Sequence, residues 1–313
     1  MHIEIYNEKY EGLWEDFVEK SSNGTIFHKR KFLSYHPPKR FVDLSLLFFE
    51  KNNLQSIFPG VNYNDFLVSH KGASYGGFIF KENITLKECY EIVETIMDFA
   101  RKEGLKGIEI TFPPLIYYTR PNNYFEFVLT TKGFKFRKRE LSSYIPVLEE
   151  PFDIFKQEAR TAVRKAIKSG AYTMISDDFK TFYHILEKNL SMRHNVKPTH
   201  TLEELLKLKK LFPDKIWLNA VFYKDKMIAG TVIFETNSRV ALAFYISHDE
   251  EYKHLRPVNL LFYETLKLCF IKGFKFLDLG TFTLNMVPNM GLGRFKESLG
   301  GRGIFRDTYL LEL

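Results

Sequence analysis

The order of helix, strand and glycine signals repeats once along this chain, and that repetition limits the possible folds more than any other feature. An amphipathic helix at 84–102 stops at Gly104 and leads into a strand at 108–112. A second helix at 259–271 stops at Gly273 and leads into a strand at 276–279. Gly133 and Gly300 follow, each ahead of a last strand. Gly104 and Gly273 are 169 residues apart, and Gly133 and Gly300 are 167 apart. Two landmarks in nearly the same register imply a duplicated unit. The literal repeat Lys-Gly-Phe-Lys-Phe, at 132–136 and 272–276, is out of that register and is read as coincidence.

With 313 residues against roughly 100–200 per domain, two domains are expected. The boundary is placed at Glu149-Glu150-Pro151, giving units 1–149 and 150–313. Each unit reads as α+β, a mixed and mostly antiparallel sheet flanked by helices. The first has a helix at 8–20 with Asn7 as cap, strands at 42–49 and 54–61, and a pair of strands within 130–147. The second has helices at 152–169, 181–189, 201–212 and 291–298. Its strands fall at 216–223, 227–236, 240–247 and 307–312. Apolar residues at 45% and aromatics at 16% allow real cores and exclude disorder. Cys89 and Cys269 are too few for a disulfide scaffold or a thiolate zinc cluster. The first six residues alternate like a strand rather than a signal peptide, and no apolar run nears the roughly 20 residues of a membrane span. A cytoplasmic protein is the expectation.

Three segments can carry chemistry. Lys156, Arg160, Arg164 and Lys168 recur every four residues, so a helix there would carry a cationic stripe suited to phosphates. An ordinary solvated face has the same spacing. The run from Ser69 through His70, Gly72, Ser74, Tyr75 and Gly77 combines glycines with hydroxyls, without the spacing of a phosphate-binding P-loop. A tight turn between strands explains it equally well. The third begins with Asp278 at a strand end and continues through Asn285 and Asn289 to Arg294 and Lys296. The nine histidines show no convincing metal-ligand spacing, and no nucleophile elbow occurs. Neither a metal nor a covalent enzyme intermediate is expected.

The duplication, the Ser69–Gly77 run, Arg160-x-x-x-Arg164-Lys165-Ala166 and Asn289-x-Gly-Leu-x-x-Phe295-Lys296-Glu297-x-x-Gly300 together resemble the FemAB-like branch of the GNAT acyltransferase superfamily. The resemblance covers nearly the whole chain and implies two tandem GNAT-like domains. It implies transfer of an acyl or aminoacyl group to an amine of a cell-wall or surface-glycan precursor. No cofactor is held permanently; the co-substrate is acyl-CoA or aminoacyl-tRNA. Acyl-CoA enzymes hold the pyrophosphate on a glycine-rich loop at a helix start. The matching stretch here, 248–257, has no glycine. The net charge of +7 and the cationic stripe suit tRNA. Both donors stay open.

Amine attack needs oxyanion stabilisation and proton removal. Tyr245 is the expected proton donor to the leaving group and Lys296 the charge-stabilising group. The acceptor is expected in a cleft between the halves, beside Asp278, Asn285 and the Ser69–Gly77 loop. Ser69, His70, Ser74, Tyr75, Arg160, Arg164, Asn285 and Asn289 are the expected substrate contacts. Peripheral contact with a membrane-bound precursor is compatible with the chain. A non-catalytic nucleic-acid-binding protein is the competing class, although most aromatics sit at core-periodic positions.

Overall fold

In a computed structural model, which describes residues 1–37, 40–69, 71–194 and 197–313, the chain forms two compact units. One comprises Met1–Leu141 with Ile304–Leu313, and the other Ser142–Gly303. The sequence reading divided the chain at 149/150, after a strand. The units divide inside two strands instead, Lys135–Pro146 and Arg302–Glu312.

In the first unit, helix Leu86–Lys102 begins with a capping box. The Thr85 hydroxyl accepts from Glu88 N–H while the Glu88 carboxylate accepts from Thr85 N–H. Its buried stripe of Cys89, Ile92, Val93, Ile96 and Ala100 faces inward, and the helix carries the chain between two parallel strands, Phe66–Ser69 and Gly107–Thr111. Thr308–Glu312 then pairs antiparallel with Gly107–Thr111. A separate antiparallel sheet runs in the order His2–Ile5, Leu46–Glu50, Asn53–Phe58, Ile79–Phe80. It packs Leu47, Phe49, Ile57 and Ile79 on Trp14 and Val18 of helix Glu11–Lys20.

The second unit repeats the parallel crossover. Val240–His248 and Phe276–Thr281 run parallel, joined by helix Pro257–Ile271. Tyr172–Ser176, Ile216–Tyr223 and Lys226–Glu235 extend the sheet antiparallel beyond Val240–His248. Ser142–Pro146 pairs antiparallel on the far side of Phe276–Thr281. Helix Pro257–Ile271 buries Leu260, Leu261, Leu266 and Cys269 against Ile233, Ala241, Ala243, Leu277 and Leu279. Helix Phe179–His194 covers the opposite face, where Phe182 lies against Gly230.

The duplicated reading thus corresponds to two parallel crossovers, but the strand closing each unit comes from the other half of the chain. Several local expectations are corrected. Residues 124–131 form a helix, burying Phe125, Val128 and Leu129 at helical spacing, so 130–147 supplies one strand rather than two. The expected strand at 42–49 is two, Val42–Asp43 and Leu46–Glu50, in different sheets. The helix expected from 152 begins at Gln157, after a short 3-10 turn at Pro151–Asp153. Cys89 and Cys269 are buried and free, and burial pushes both thiols up to about 12. They act as small apolar side chains.

Two predictions follow from this packing. A Cβ at Gly230 would meet the Phe182 ring at 2.7 Å and Leu218 at 3.1 Å. Gly230→Ala is expected to lower the unfolding free energy by about 1–3 kcal/mol through overpacking, checked by denaturant titration. His28 is fully buried; Thr25 N–H donates to its Nδ1 at 3.0 Å and its Nε2–H donates to Gly76 O at 3.2 Å. Burial pushes the imidazole down to about 3, so the neutral ring is the folded form. Its stabilising contribution is complete above the unfolded value of about 6.5 and is lost at up to about 1.4 kcal/mol per pH unit as pH falls towards the folded value. NMR of the His28 imidazole is expected to stay flat from about pH 8 to pH 5; a titration midpoint near 6.5 would contradict this assignment.

Candidate active site

The parallel pairing of Val240–His248 with Phe276–Thr281 extends only from Val240/Phe276 to Leu242/Asp278. Beyond that point the two strands are no longer paired. Two local irregularities decide what faces the gap. The register of Lys226–Glu235 against Val240–His248 slips between Val232/Tyr245 and Ile233/Ala243, leaving Phe244 as an extra residue. Alternation before the slip would put Tyr245 on the face of Ala241 and Ala243. The bulge instead returns Ile246 to that core and turns Tyr245 to the opposite face. Asp278 lies on that opposite face too, since Leu277 and Leu279 on either side of it point into the core.

The second irregularity lies in Phe276–Thr281, where pairing with Ser142–Pro146 slips between Asp278 and Thr281 and Gly280 has φ +71°. A left-handed backbone there suits glycine. It aims successive carbonyls at one point, occupied by the Lys296 ammonium of helix Met290–Ser298. Lys296 Nζ donates to the carbonyls of Leu279 and Gly280 at 2.8 Å and of Thr281 at 3.1 Å. The Phe282 ring lies 5.7 Å from the same ammonium. Lys296 is 3% exposed, and burial pushes it down to about 8 while the Asp278 carboxylate pulls the other way. Asp278, 2% exposed, accepts from Ser142 Oγ at 2.9 Å and Gly280 N–H at 2.7 Å.

Tyr245 is held in a separate arrangement. Its hydroxyl accepts the His200 backbone N–H at 3.0 Å and pairs with His200 Nδ1 at 2.8 Å. Tyr183 Oη–H donates to His200 O at 3.0 Å. Burial pushes the Tyr245 phenol up to about 12, so it is protonated at neutral pH. Ser142, Tyr183 and His200 were not singled out from sequence. Their roles depend on the bulge and on pairings between distant segments, which leave no local signal.

Asp278 and Lys296 thus meet at one strand end, and Tyr245 shares the sheet face of Asp278. Asn289 caps helix Met290–Ser298, accepting Leu292 N–H at 3.0 Å. Asn285 is exposed at the tip of a two-residue turn. On helix Gln157–Lys168, Arg160 Nε–H donates to Phe155 O at 2.8 Å, and the exposed Arg164 guanidinium lies 5.2 Å from the Phe152 ring. In the first unit, Ser69 Oγ accepts Thr111 N–H at 2.8 Å, and Ser74 is half-buried. Tyr75 is buried against Phe27 and Tyr117, and His70 lies outside the described residues. Among the described residues no group of His, Cys, Asp and Glu is arranged to hold a metal ion.

The loop after Val240–His248 is acidic as well as glycine-free. Asp249 accepts Glu251 N–H at 3.2 Å, so a carboxylate already occupies a backbone donor of that loop. Lys226 Nζ donates to the same carboxylate at 3.2 Å. These contacts and its hydrogen bond to Glu251 N–H hold Asp249 below the ordinary carboxylate range, outweighing burial, which raises it.

The Lys296 contacts yield a direct test. Lys296→Met keeps the length of the stem and removes the donor from three carbonyls. It is expected to cost about 1–3 kcal/mol of stability for the unmet acceptors, read as a lower melting temperature. An unchanged melting temperature would show that the ammonium does not organise the strand end.

Residues 155–297 match the model of the GNAT acetyltransferase domain. None of the curated protein sequences matches this chain. Among solved structures, FemX is similar at a TM-score of 0.76 and 14% identity, covering 100% of this chain and 98% of its own. The C-terminal domain of a protein assigned as a lysylphosphatidylglycerol synthetase, from Agrobacterium fabrum, aligns at TM-score 0.61 and 9% identity over 97% of this chain and 92% of that one. A tandem GNAT protein from the clavulanic acid biosynthesis pathway aligns at 0.57 and 8% identity over 99% and 98%. The non-catalytic nucleic-acid reading is set aside in favour of an enzyme. Residues 155–297 thus match an acetyltransferase-type GNAT domain, and over the whole chain the fold is similar to that of FemX and of a tandem GNAT protein.

Proposed function

We propose that this protein transfers an acyl or aminoacyl group to an amine of a cell-wall or surface-glycan precursor. The observation that carries the reading is the gap beyond Leu242/Asp278, with a buried carboxylate and a buried ammonium at its edge. In this reading the reacting carbonyl enters the gap and the acceptor amine approaches beside Asp278. The amine nitrogen bonds to the carbonyl carbon, and the bond to the donor's ester oxygen or thioester sulfur breaks. The positive field of Lys296 stabilises the oxyanion, and Asp278 accepts the first proton that the acceptor ammonium loses. Tyr245 Oη–H protonates the leaving group, and the second proton released by the attacking nitrogen restores the phenol. FemX and the lysylphosphatidylglycerol synthetase domain share the fold, and the second is named for the synthesis of lysylphosphatidylglycerol.

Aminoacyl-tRNA is the donor we favour over acyl-CoA. The loop at 249–255 presents Asp249, Glu250 and Glu251 where a pyrophosphate would need free amides. The cations at that loop, Lys188, Lys226 and Lys253, are paired with its carboxylates, and a separate cationic stripe lies on helix Gln157–Lys168. Contacts from Arg160 and Arg164 to tRNA phosphates would supply the missing anion recognition. Asn285 and Asn289 remain proposed contacts of the acceptor.

Mass spectrometry with amino-sugar and peptide precursors, offered charged tRNA or acyl-CoA, is expected to give an aminoacylated product only with charged tRNA. A product only with acyl-CoA would reverse the donor assignment. Arg164→Ala is expected to weaken tRNA binding about ten- to a hundredfold with little change in melting temperature, and Arg164→Lys to recover part of it. Equal binding by all three proteins would return this helix face to ordinary solvated surface.

A further inference from the structure

The segment between the strand end and helix Met290–Ser298 is a small hairpin. Thr283–Leu284 pairs antiparallel with Val287–Pro288. Asn285 and Met286 form the turn at φ +51° and +64°, the left-handed pair of a type I′ connection. Asn289 N–H donates to Phe282 O at 2.8 Å and closes the base. A soluble hairpin of this size would ordinarily carry polar side chains. Here Leu284 is 75% exposed, Met286 59%, Val287 68% and Met290 73%. Leu284 and Val287 are direct cross-strand partners, so their side chains share one face of the ribbon.

The charges within this stretch of the chain have one sign. No Asp or Glu occurs between Asp278 and Glu297, and the charged residues in that interval are Arg294 and Lys296. Lys296 is buried on its three carbonyls, whereas Arg294 is exposed one turn along the helix from Met290. The tip is therefore apolar, and its free charge is positive. Three apolar side chains on the hairpin, with Met290 at the helix start beside it, fall well short of the roughly 20–30 residues a side of a stable protein interface. They match the shallow insertion of an apolar tip into the headgroup boundary of an anionic bilayer, with a cation at the phosphate level.

We propose that hairpin 283–288, with Met290 and Arg294, is a membrane-docking surface for anionic phospholipid. The strand end that holds Asp278 and Lys296 leads directly into this hairpin, so docking would bring that strand end to the lipid surface. The docking rests on the exposed side chains of the hairpin and not on the transferase reading above.

The experiment is co-sedimentation with vesicles of phosphatidylglycerol and of phosphatidylcholine, using the whole protein. Binding to phosphatidylglycerol vesicles is expected. The double variant Leu284→Ser/Val287→Ser should bind at least about tenfold more weakly, since two apolar side chains no longer leave water. Its melting temperature should be unchanged because both positions are exposed. Leu284→Trp should show a blue-shifted emission when the vesicles are added, against the buried native Trp14 and Trp217. No vesicle binding by the native protein, or equal binding by the double variant, overturns the proposal. So does a dimer of the native protein in sedimentation velocity that the double variant dissolves, because a second copy then covers the tip. Transfer to a soluble amine acceptor, measured beside the vesicle assay, reads the transferase assignment separately.

Discussion

Three backbone carbonyls converge on one buried ammonium at the end of Phe276–Thr281, and the local chemistry depends on that convergence. Carbonyls of three successive residues do not ordinarily point the same way in a strand. Gly280, in the left-handed region, and the accompanying slip in pairing turn them together. Lys296 then satisfies all three, and Asp278 supplies a counter-charge from the preceding residues. A cation kept dry in this way has a stronger field than a solvated one. It is also fixed, so its charge needs no reorganisation when negative charge develops nearby.

The bulge at Phe244 has a comparable effect on the neighbouring strand. One extra residue turns a tyrosine away from the core formed with helix Pro257–Ile271 and towards His200. The same slip lets Ile246 rejoin that core. A single irregularity thus preserves the packing on one face while altering the chemistry on the other. Bulges often serve this purpose beside active sites.

The duplication, the two long crossover helices and their glycine stops were readable because each leaves a local, periodic signal. The capping box at Thr201 is of the same kind, visible as a hydroxyl three residues ahead of a glutamate. Lys296 and Asp278 were legible as candidates, yet their partners were not. Ser142 lies 136 residues from Asp278, and no pattern in either segment announces the hydrogen bond. The helix at Tyr124–Thr131 was missed because Phe, Val and Thr there favour strands intrinsically, while burial of Phe125, Val128 and Leu129 decided otherwise. Asn285 and Asn289 drew notice as polar groups near a candidate site; the structure uses one in a turn and the other as a helix cap.

The closing strands affect how the chain reaches this fold. Gly107–Thr111 gains its antiparallel neighbour from Thr308–Glu312, about two hundred positions later in synthesis. Met1–Leu141 therefore leaves the ribosome with one side of a central strand unpaired, its backbone amides and carbonyls waiting for a partner not yet made. Long-range pairing of this kind slows folding, because the intervening loop must be ordered before the contact forms. During that interval the exposed edge is where a foreign strand would add. The nascent first unit is thus the stage at which chaperone binding or aggregation would compete with completion of the protein.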